Sequence, residues 1–328
     1  MLTERRAMDF LLNPEDRGYP DEYFLSRIRG RRSRLITDWR PFIFSASPWD
    51  TLASGKYGRI LPGASQESVW RGLLREYQWA YAQMSGRLRE IFHPFFQYSE
   101  LRTLFISLRQ GTGRKTGGID ELLGASLLSE EIKDALLGAA DVPSALTGIE
   151  RILITRSVEF KDLARIFENG GLRGVERHLT NVYLSTTAAA RLHPLLKMYF
   201  IRLIDSRNIM GLSKYARLGF KALPVFVEGG AISKARFREI IEKEDMAGVA
   251  SLVRSFTGVK TEALSPADVE IALYKAITRF LRKEGRDPLG IGLILDYLWR
   301  CSIEAMNLSV LIHGQDLERE AITAELVQ

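Results

Sequence analysis

A chain of 328 residues that is 46% apolar and 26% charged has the balance of an ordinary globular protein and room for two or three modules. One cysteine, Cys301, and four histidines exclude a disulfide framework and a thiolate metal cluster, and leave little for a zinc site. Forty-six Lys and Arg against 40 Asp and Glu give a formal charge of +6, too small for this length to imply nucleic acid by itself.

No window approaches the roughly 20 apolar residues of a membrane-crossing helix. The amino terminus, MLTERRAMDFLLNPEDRGYP, alternates charged and apolar residues and lacks the continuous apolar core of a secretory signal. The chain therefore reads as cytosolic, or as resting on a membrane without crossing it. The first distinctive feature is charge: Arg27, Arg29, Arg31, Arg32 and Arg34 crowd eight residues. Such a run is either a solvated helix face paired with acids elsewhere or a surface for an anionic partner, namely phosphate, lipid headgroups or an acidic protein. Beside an anionic leaflet each arginine would contribute about 1 kcal/mol.

Helical periodicity dominates the rest of the chain. Behind Ser65 as N-cap, the positions Val69, Leu73, Tyr77, Tyr81, Met84 and Leu88 recur at three- and four-residue spacings. Pro266, at the first helical position behind Ser265, opens a second such run through Val269, Leu273, Ile277 and Leu281. Leu289 to Ile312 reads as one long, mostly buried helix, with Cys301 inside it as a small core residue. The only strand-like stretches are Ile152 to Ile154 and Leu223 to Val227, both short, so the expected class is all-α. Glycine clusters at 111–118, 170–174 and 229–230 are the expected inter-helix joints.

Three segments align without gaps: Glu100-LRTLFISLR, Asp205-SRNIMGLSK and Glu304-AMNLSVLIH. In each an acid is followed three residues on by Thr103, Asn208 or Asn307, and six residues later by Arg109, Lys214 or His313. The acids lie 105 and then 99 residues apart. A second pattern precedes them by 31, 30 and 35 residues: Val69-W-R-G-Leu73, Val175-E-R-H-Leu179 and Val269-E-I-A-Leu273. Between the two patterns each copy carries an X-Pro pair expected to break the helix: His93-Pro94, His193-Pro194 and Asp287-Pro288. Two patterns recurring in step predict three divergent helical-hairpin repeats of about 100 residues. Positions i and i+3 share a helix face, so each acid–polar pair is expected to act as inter-helix glue, satisfying the stranded terminal carbonyls or amides of a neighbouring helix.

Catalysis has little support. GTGRKTGG (Gly111 to Gly118) lacks the Gly-Lys-Ser/Thr ending of a phosphate loop, and SGKYG (Ser54 to Gly58) follows its lysine with Tyr57. No zinc-protease histidine spacing occurs, and Glu100, Asp205 and Glu304 occupy equivalent positions of their repeats. No enzyme activity, metal or cofactor is expected.

These residues resemble the C subunit of the archaeal and bacterial A/V-type ATPases, the family that includes the d subunit of the eukaryotic vacuolar enzyme. Ser26-Arg27-Ile28-Arg29, running through Ser33-Arg34 to Leu35-Ile36, is similar to that family's early Ala-Arg-x-Arg stretch and leucine pair. Gly55-Lys56-Tyr57-Gly58 is similar to its Thr-Asp-Tyr-Gly element. The acid-x-x-Asn-Leu motif matches at Asp205/Asn208 and Glu304/Asn307 and only in part at Glu100/Thr103, and Tyr297-Leu298 precedes the last copy. Cys301-Ser302 and Ser309 depart from the Lys-Glu pair and the arginine of the carboxy-terminal hallmark.

The resemblance implies a funnel-shaped, all-α protein of three similar helical bundles around a pseudo-three-fold axis: 1–111 with the Arg-rich helix, 112–216, and 217–328 with the carboxy-terminal motif. It implies a non-catalytic rotor subunit, peripheral on the cytoplasmic face of the membrane. Such a subunit seats the foot of the central stalk, binds the membrane rotor ring and passes torque between ATP turnover and ion translocation. Arg27 to Arg34 are then the candidate partner surface; Glu100, Thr103, Asp205, Asn208, Tyr57, Gly58, Glu304 and Asn307 are the structural motif. The alternative is a scaffold of the same fold repurposed to bind another protein or RNA. An RNA surface would want aromatic stacking residues beside the arginines, and only Tyr23, Phe24 and Trp39 are near, so no nucleic acid is expected.

Overall fold

A computed structural model describes residues 10–45, 66–111, 117–155, 158–221, 224–259, 265–314 and 317–327. Their regular structure is helical, as the sequence predicts. The helices are α1 (Asp21–Arg32), α2 (Arg40–Ile43), α3 (Gln66–Gln83), α4 (Gly86–Gln110), α5 (Gly117–Gly124), α6 (Glu130–Leu137), α7 (Val142–Ile154), α8 (Leu163–Ala189) and α9 (Pro194–Arg217). They continue with α10 (Lys234–Glu242), α11 (Met246–Thr257), α12 (Pro266–Glu284), α13 (Gly292–His313) and α14 (Arg319–Glu325). Among the described residues extended pairing is limited to one isolated bridge, Leu11 to Leu128.

Several boundaries differ from the sequence expectation. The periodic run from Val69 to Leu88 is two helices: Ser85 interrupts it, and its hydroxyl accepts from Leu88 N–H at the start of α4, so a polar N-cap outweighs unbroken apolar spacing. Pro94 breaks nothing and lies inside α4; Tyr183 of α8 donates its hydroxyl to the Pro94 carbonyl at 2.6 Å. The glycine cluster 170–174 does act as a joint: Gly171 adopts φ 59° and ψ −166°, and α8 is two helical stretches that meet there at a kink. Of the two strand-like stretches, Ile152 to Ile154 ends α7, while in Leu223 to Val227 residues 224–227 are irregular and Leu223 lies outside the described residues.

The chain forms two compact units: residues 74–196 with the amino-terminal stretch up to Tyr19, and residues 20–73 with 197–328. In the first, Tyr77 of α3 meets Phe95 and Phe96 of α4 edge-on at 5.6 and 5.8 Å, geometry that suits the ring quadrupoles. The amino-terminal stretch is strapped to this unit. Leu12 N–H donates to Leu127 O and Ser129 N–H to Phe10 O, both at 2.7 Å. Asp16 accepts the Gly86 N–H at 2.8 Å.

In the second unit Ile209 and Leu212 of α9, Phe237 and Ile240 of α10, Val253 of α11 and Leu273 of α12 share one core. The capping box that sets the start of α12 joins Ser265 and Asp268 reciprocally, as the Ser-Pro signal predicts. Along α13, 15 of 22 residues are buried, Cys301 included, as its mostly apolar sequence predicts. Trp299 Nε1 donates to Thr278 Oγ1 at 2.9 Å and latches α13 to α12.

The turn between α12 and α13 depends on close approach. A Cβ on Gly292 would lie 2.3 Å from the Glu284 carbonyl oxygen, whereas one on Gly30 of α1 would meet nothing within 4 Å. Gly292→Ala should therefore cost about 1–3 kcal/mol by forcing the helices apart. Gly30→Ala should gain about 0.5–1 kcal/mol from helix propensity. Paired thermal melts check both signs.

Candidate functional site

The three acid–polar pairs stand on α4, α9 and α13, and none of their six side chains is more than 5% exposed. Each faces a segment that leaves helical structure and buries backbone groups with no ladder partner, a costly state unless a side chain supplies the bond. In the second copy Asp205 accepts from Ala231 N–H and Ile232 N–H, both at 3.1 Å. One turn on, Asn208 donates Nδ2–H to Val227 O and accepts Val227 N–H at Oδ1, both at 2.9 Å. A carboxamide carries donor and acceptor side by side, as a strand edge does, so it holds one extended residue at two points. Gly230 belongs to the same device: a Cβ there would lie 2.2 Å from Asp205 Oδ1.

The third copy repeats this with two segments far apart in sequence. Asn307 clasps Val327 at 2.9 and 3.0 Å, and Glu304 Oε1 accepts the Ile36 N–H at 2.8 Å. The first copy keeps only the acid: Glu100 Oε1 accepts Leu127 N–H at 2.7 Å. Thr103 has no amide to offer, and there the neighbouring backbone is paired instead by Phe10 to Leu12. The substitution of Thr for Asn thus coincides with a strap that does the amide's work.

Burial raises the Glu100 carboxyl from 4.5 to about 7, against the opposing pull of the Leu127 N–H, the Thr103 hydroxyl and Lys133. Burial likewise raises Asp205, opposed by the Ile232 and Ala231 N–H groups and by Arg202. As the carboxylates bind backbone amides of neighbouring segments, they act as connectors; the partners are residues outside the helices rather than the helix termini that the i, i+3 reading expects.

The basic residues six beyond the polar positions add a relation that the sequence left unassigned. Arg109, after the first copy, pairs with Glu176 at 2.5 Å. Lys214, after the second, approaches Glu270 at 3.9 Å. Glu176 and Glu270 are the second residues of the Val-Glu-x-x-Leu patterns of the second and third copies. The same head-to-tail contact therefore occurs twice. Such exposed pairs stabilise little, and their interest is that they recur.

The arginine cluster divides. Phe24, Leu25 and Ile28 anchor α1, Arg27 lies over the Tyr23 ring at 5.7 Å, and Arg29 and Arg34 are exposed while Arg31 is half-buried. Arg32 turns inward, donating to Gly285 O at 2.9 Å and pairing with Asp296 at 2.7 Å. Asp296 is fully buried; burial raises its carboxyl, and Arg32, Arg300 and Arg282 oppose that rise. The signal for this pair was an aspartate inside the most apolar window of the sequence. Tyr57 and Gly58, the rest of the SGKYG loop, Ser65 and most of GTGRKTGG lie outside the described residues. Among the described residues no three His, Cys, Asp or Glu side chains gather as a metal would require, and no helix is long and apolar enough to cross a membrane.

The clasps lend themselves to two tests. Asn307→Ala strands both polar groups of Val327 and should cost about 2–4 kcal/mol; deleting Val327 and Gln328 should cost a similar amount, and combining the changes should add little, as a double-mutant cycle by urea unfolding checks. The Glu100 carboxyl ionises near 4.5 when unfolded and near 7 when folded, so the folded state holds the extra proton between those values. Stability should fall as pH rises through that window, by about 3 kcal/mol at most. Glu100→Gln should flatten this dependence in melts at the two ends of the window.

Residues 53–325 match the family model of the ATP synthase (C/AC39) subunit. The chain is 26% identical over 313 residues to the V-type ATP synthase C subunit of two Thermus thermophilus strains, covering 88% of this chain and 92% of each relative. To the V-type ATP synthase C subunit of Deinococcus radiodurans it is 27% identical over 239 residues, covering 70% of this chain and 64% of the relative. With most of its length inside that match, the chain belongs to the ATP synthase (C/AC39) subunit family.

Proposed function

We propose that this protein is a non-catalytic central-stalk subunit of a rotary A/V-type ATPase, linking the stalk to the membrane rotor ring and carrying torque between ATP turnover and ion translocation. The family match over residues 53–325 is the observation that carries this reading. Its three-bundle organisation, 1–111, 112–216 and 217–328 around a pseudo-three-fold axis, is supported by the recurring head-to-tail contact of Arg109 with Glu176 and of Lys214 with Glu270. An element that carries torque needs stiffness, and the buried clasps resist shear because each would strand polar groups if it opened. The work is mechanical and requires neither a cofactor nor a bound nucleotide. In this reading the protein sits on the cytoplasmic face of the membrane as a peripheral component, and the exposed part of the Arg27–Arg34 cluster meets a partner.

Native mass spectrometry with the central-stalk subunits of the same organism tests it. A one-to-one-to-one complex is expected; a folded protein that joins no stalk subunit refutes the assignment. Charge reversal by Arg29→Glu with Arg31→Glu should weaken assembly with the stalk or ring by about tenfold or more while lowering the melting temperature little, since rim charges govern association. Unchanged assembly would move the partner surface elsewhere.

A further inference from the structure

In the second unit Arg32 draws the carboxy-terminal turn of α1 onto the end of α12, through Gly285 O at 2.9 Å and Asp296 at 2.7 Å. This junction gathers cations that are far apart in sequence. Arg29 and Arg34 come from the α1 side, and Arg282, Lys283 and Arg286 from the α12 side; all five are exposed. The nearby acids offset them only in part: Asp296 pairs with Arg32, which leaves Asp287 and Glu284 against the five cations. At the centre of the α12–α13 turn Leu289 is 67% exposed. The turn is closed around Asp287, whose carbonyl accepts the Gly290 N–H at 3.4 Å.

The geometry points to an anionic phospholipid surface as the ligand of this turn. Arginines suit phosphodiester oxygens through their forked donors, and a basic rim is drawn to the negative potential of an anionic leaflet. Leu289 favours lipid over free phosphate: an apolar side chain amid cations offers nothing to a small anion. At a bilayer it enters the boundary between headgroups and acyl chains while the cations stay at headgroup level. This contact borders the Arg27–Arg34 surface assigned above to a partner and does not rest on binding a stalk; its variants are confined to the end of α12 and the α12–α13 turn.

Co-sedimentation of the purified chain tests it, with vesicles of equal parts phosphatidylcholine and phosphatidylglycerol against vesicles of phosphatidylcholine alone. Salt-sensitive binding to the anionic vesicles only is expected. Arg282→Gln with Arg286→Gln should weaken it about 25-fold, at about fivefold per cation, and Leu289→Ser about tenfold. Arg238→Gln with Arg254→Gln removes the same charge from exposed positions of α10 and α11 and should leave binding unchanged. Melting curves verify that all variants fold. Equal binding to both vesicle types, or loss equal to that of the control pair, overturns the proposal. If anionic vesicles are not bound and the Arg282/Arg286 variant instead loses assembly with stalk or ring subunits, the turn is a protein contact and the lipid assignment falls. The stalk complex is scored separately, so either reading can fail alone.

Discussion

The structure depends on a single constraint: where the chain leaves a helix and runs through the interior, its backbone N–H and C=O groups must still be bonded. Among the described residues there is almost no sheet to do that. Side chains of α4, α9 and α13 supply the bonds instead, a carboxylate taking N–H groups at Leu127, Ala231, Ile232 and Ile36, and a carboxamide holding both polar groups of Val227 and Val327. The helices are thus rigid posts to which extended segments are tied, and the ties are strong because water is excluded from them.

The cost of this arrangement is buried charge. Glu100 and Asp205 both have carboxyls raised by burial, so part of what the clasp gains is lost to desolvation. Asp296 meets the same problem and is answered by arginines, above all Arg32. That pair fixes α1 to α13 and leaves the rest of the arginine run on the outside. One cluster thereby serves two ends, an internal anchor and an external cationic face.

Much of this was legible beforehand because helices announce themselves locally. The Ser265-Pro266 start, the buried run of α13 and the inward-facing i, i+3 pairs follow from capping and from 3.6-residue periodicity, and the recurrence of the pairs marked them as architecture. The family resemblance rested on the same residues. Local rules failed where two signals competed: apolar spacing ran on through Met84 and Leu88 although Ser85 caps a new helix, and Pro94 sits within α4 with its carbonyl held by Tyr183.

The sequence by itself determined the helical class, the position of the repeated acid–polar pairs and the family, since each is written in short-range pattern and in the order of motifs. Only the tertiary structure decided what those pairs hold, because their partners lie between 19 and 268 residues away along the chain. It also decided that Arg32 turns inward, that Phe10 to Leu12 replace a missing amide, and that Ile36 and Val327 complete the third clasp. Hydrogen bonds between distant segments depend on which surfaces meet, and periodicity carries no information about that.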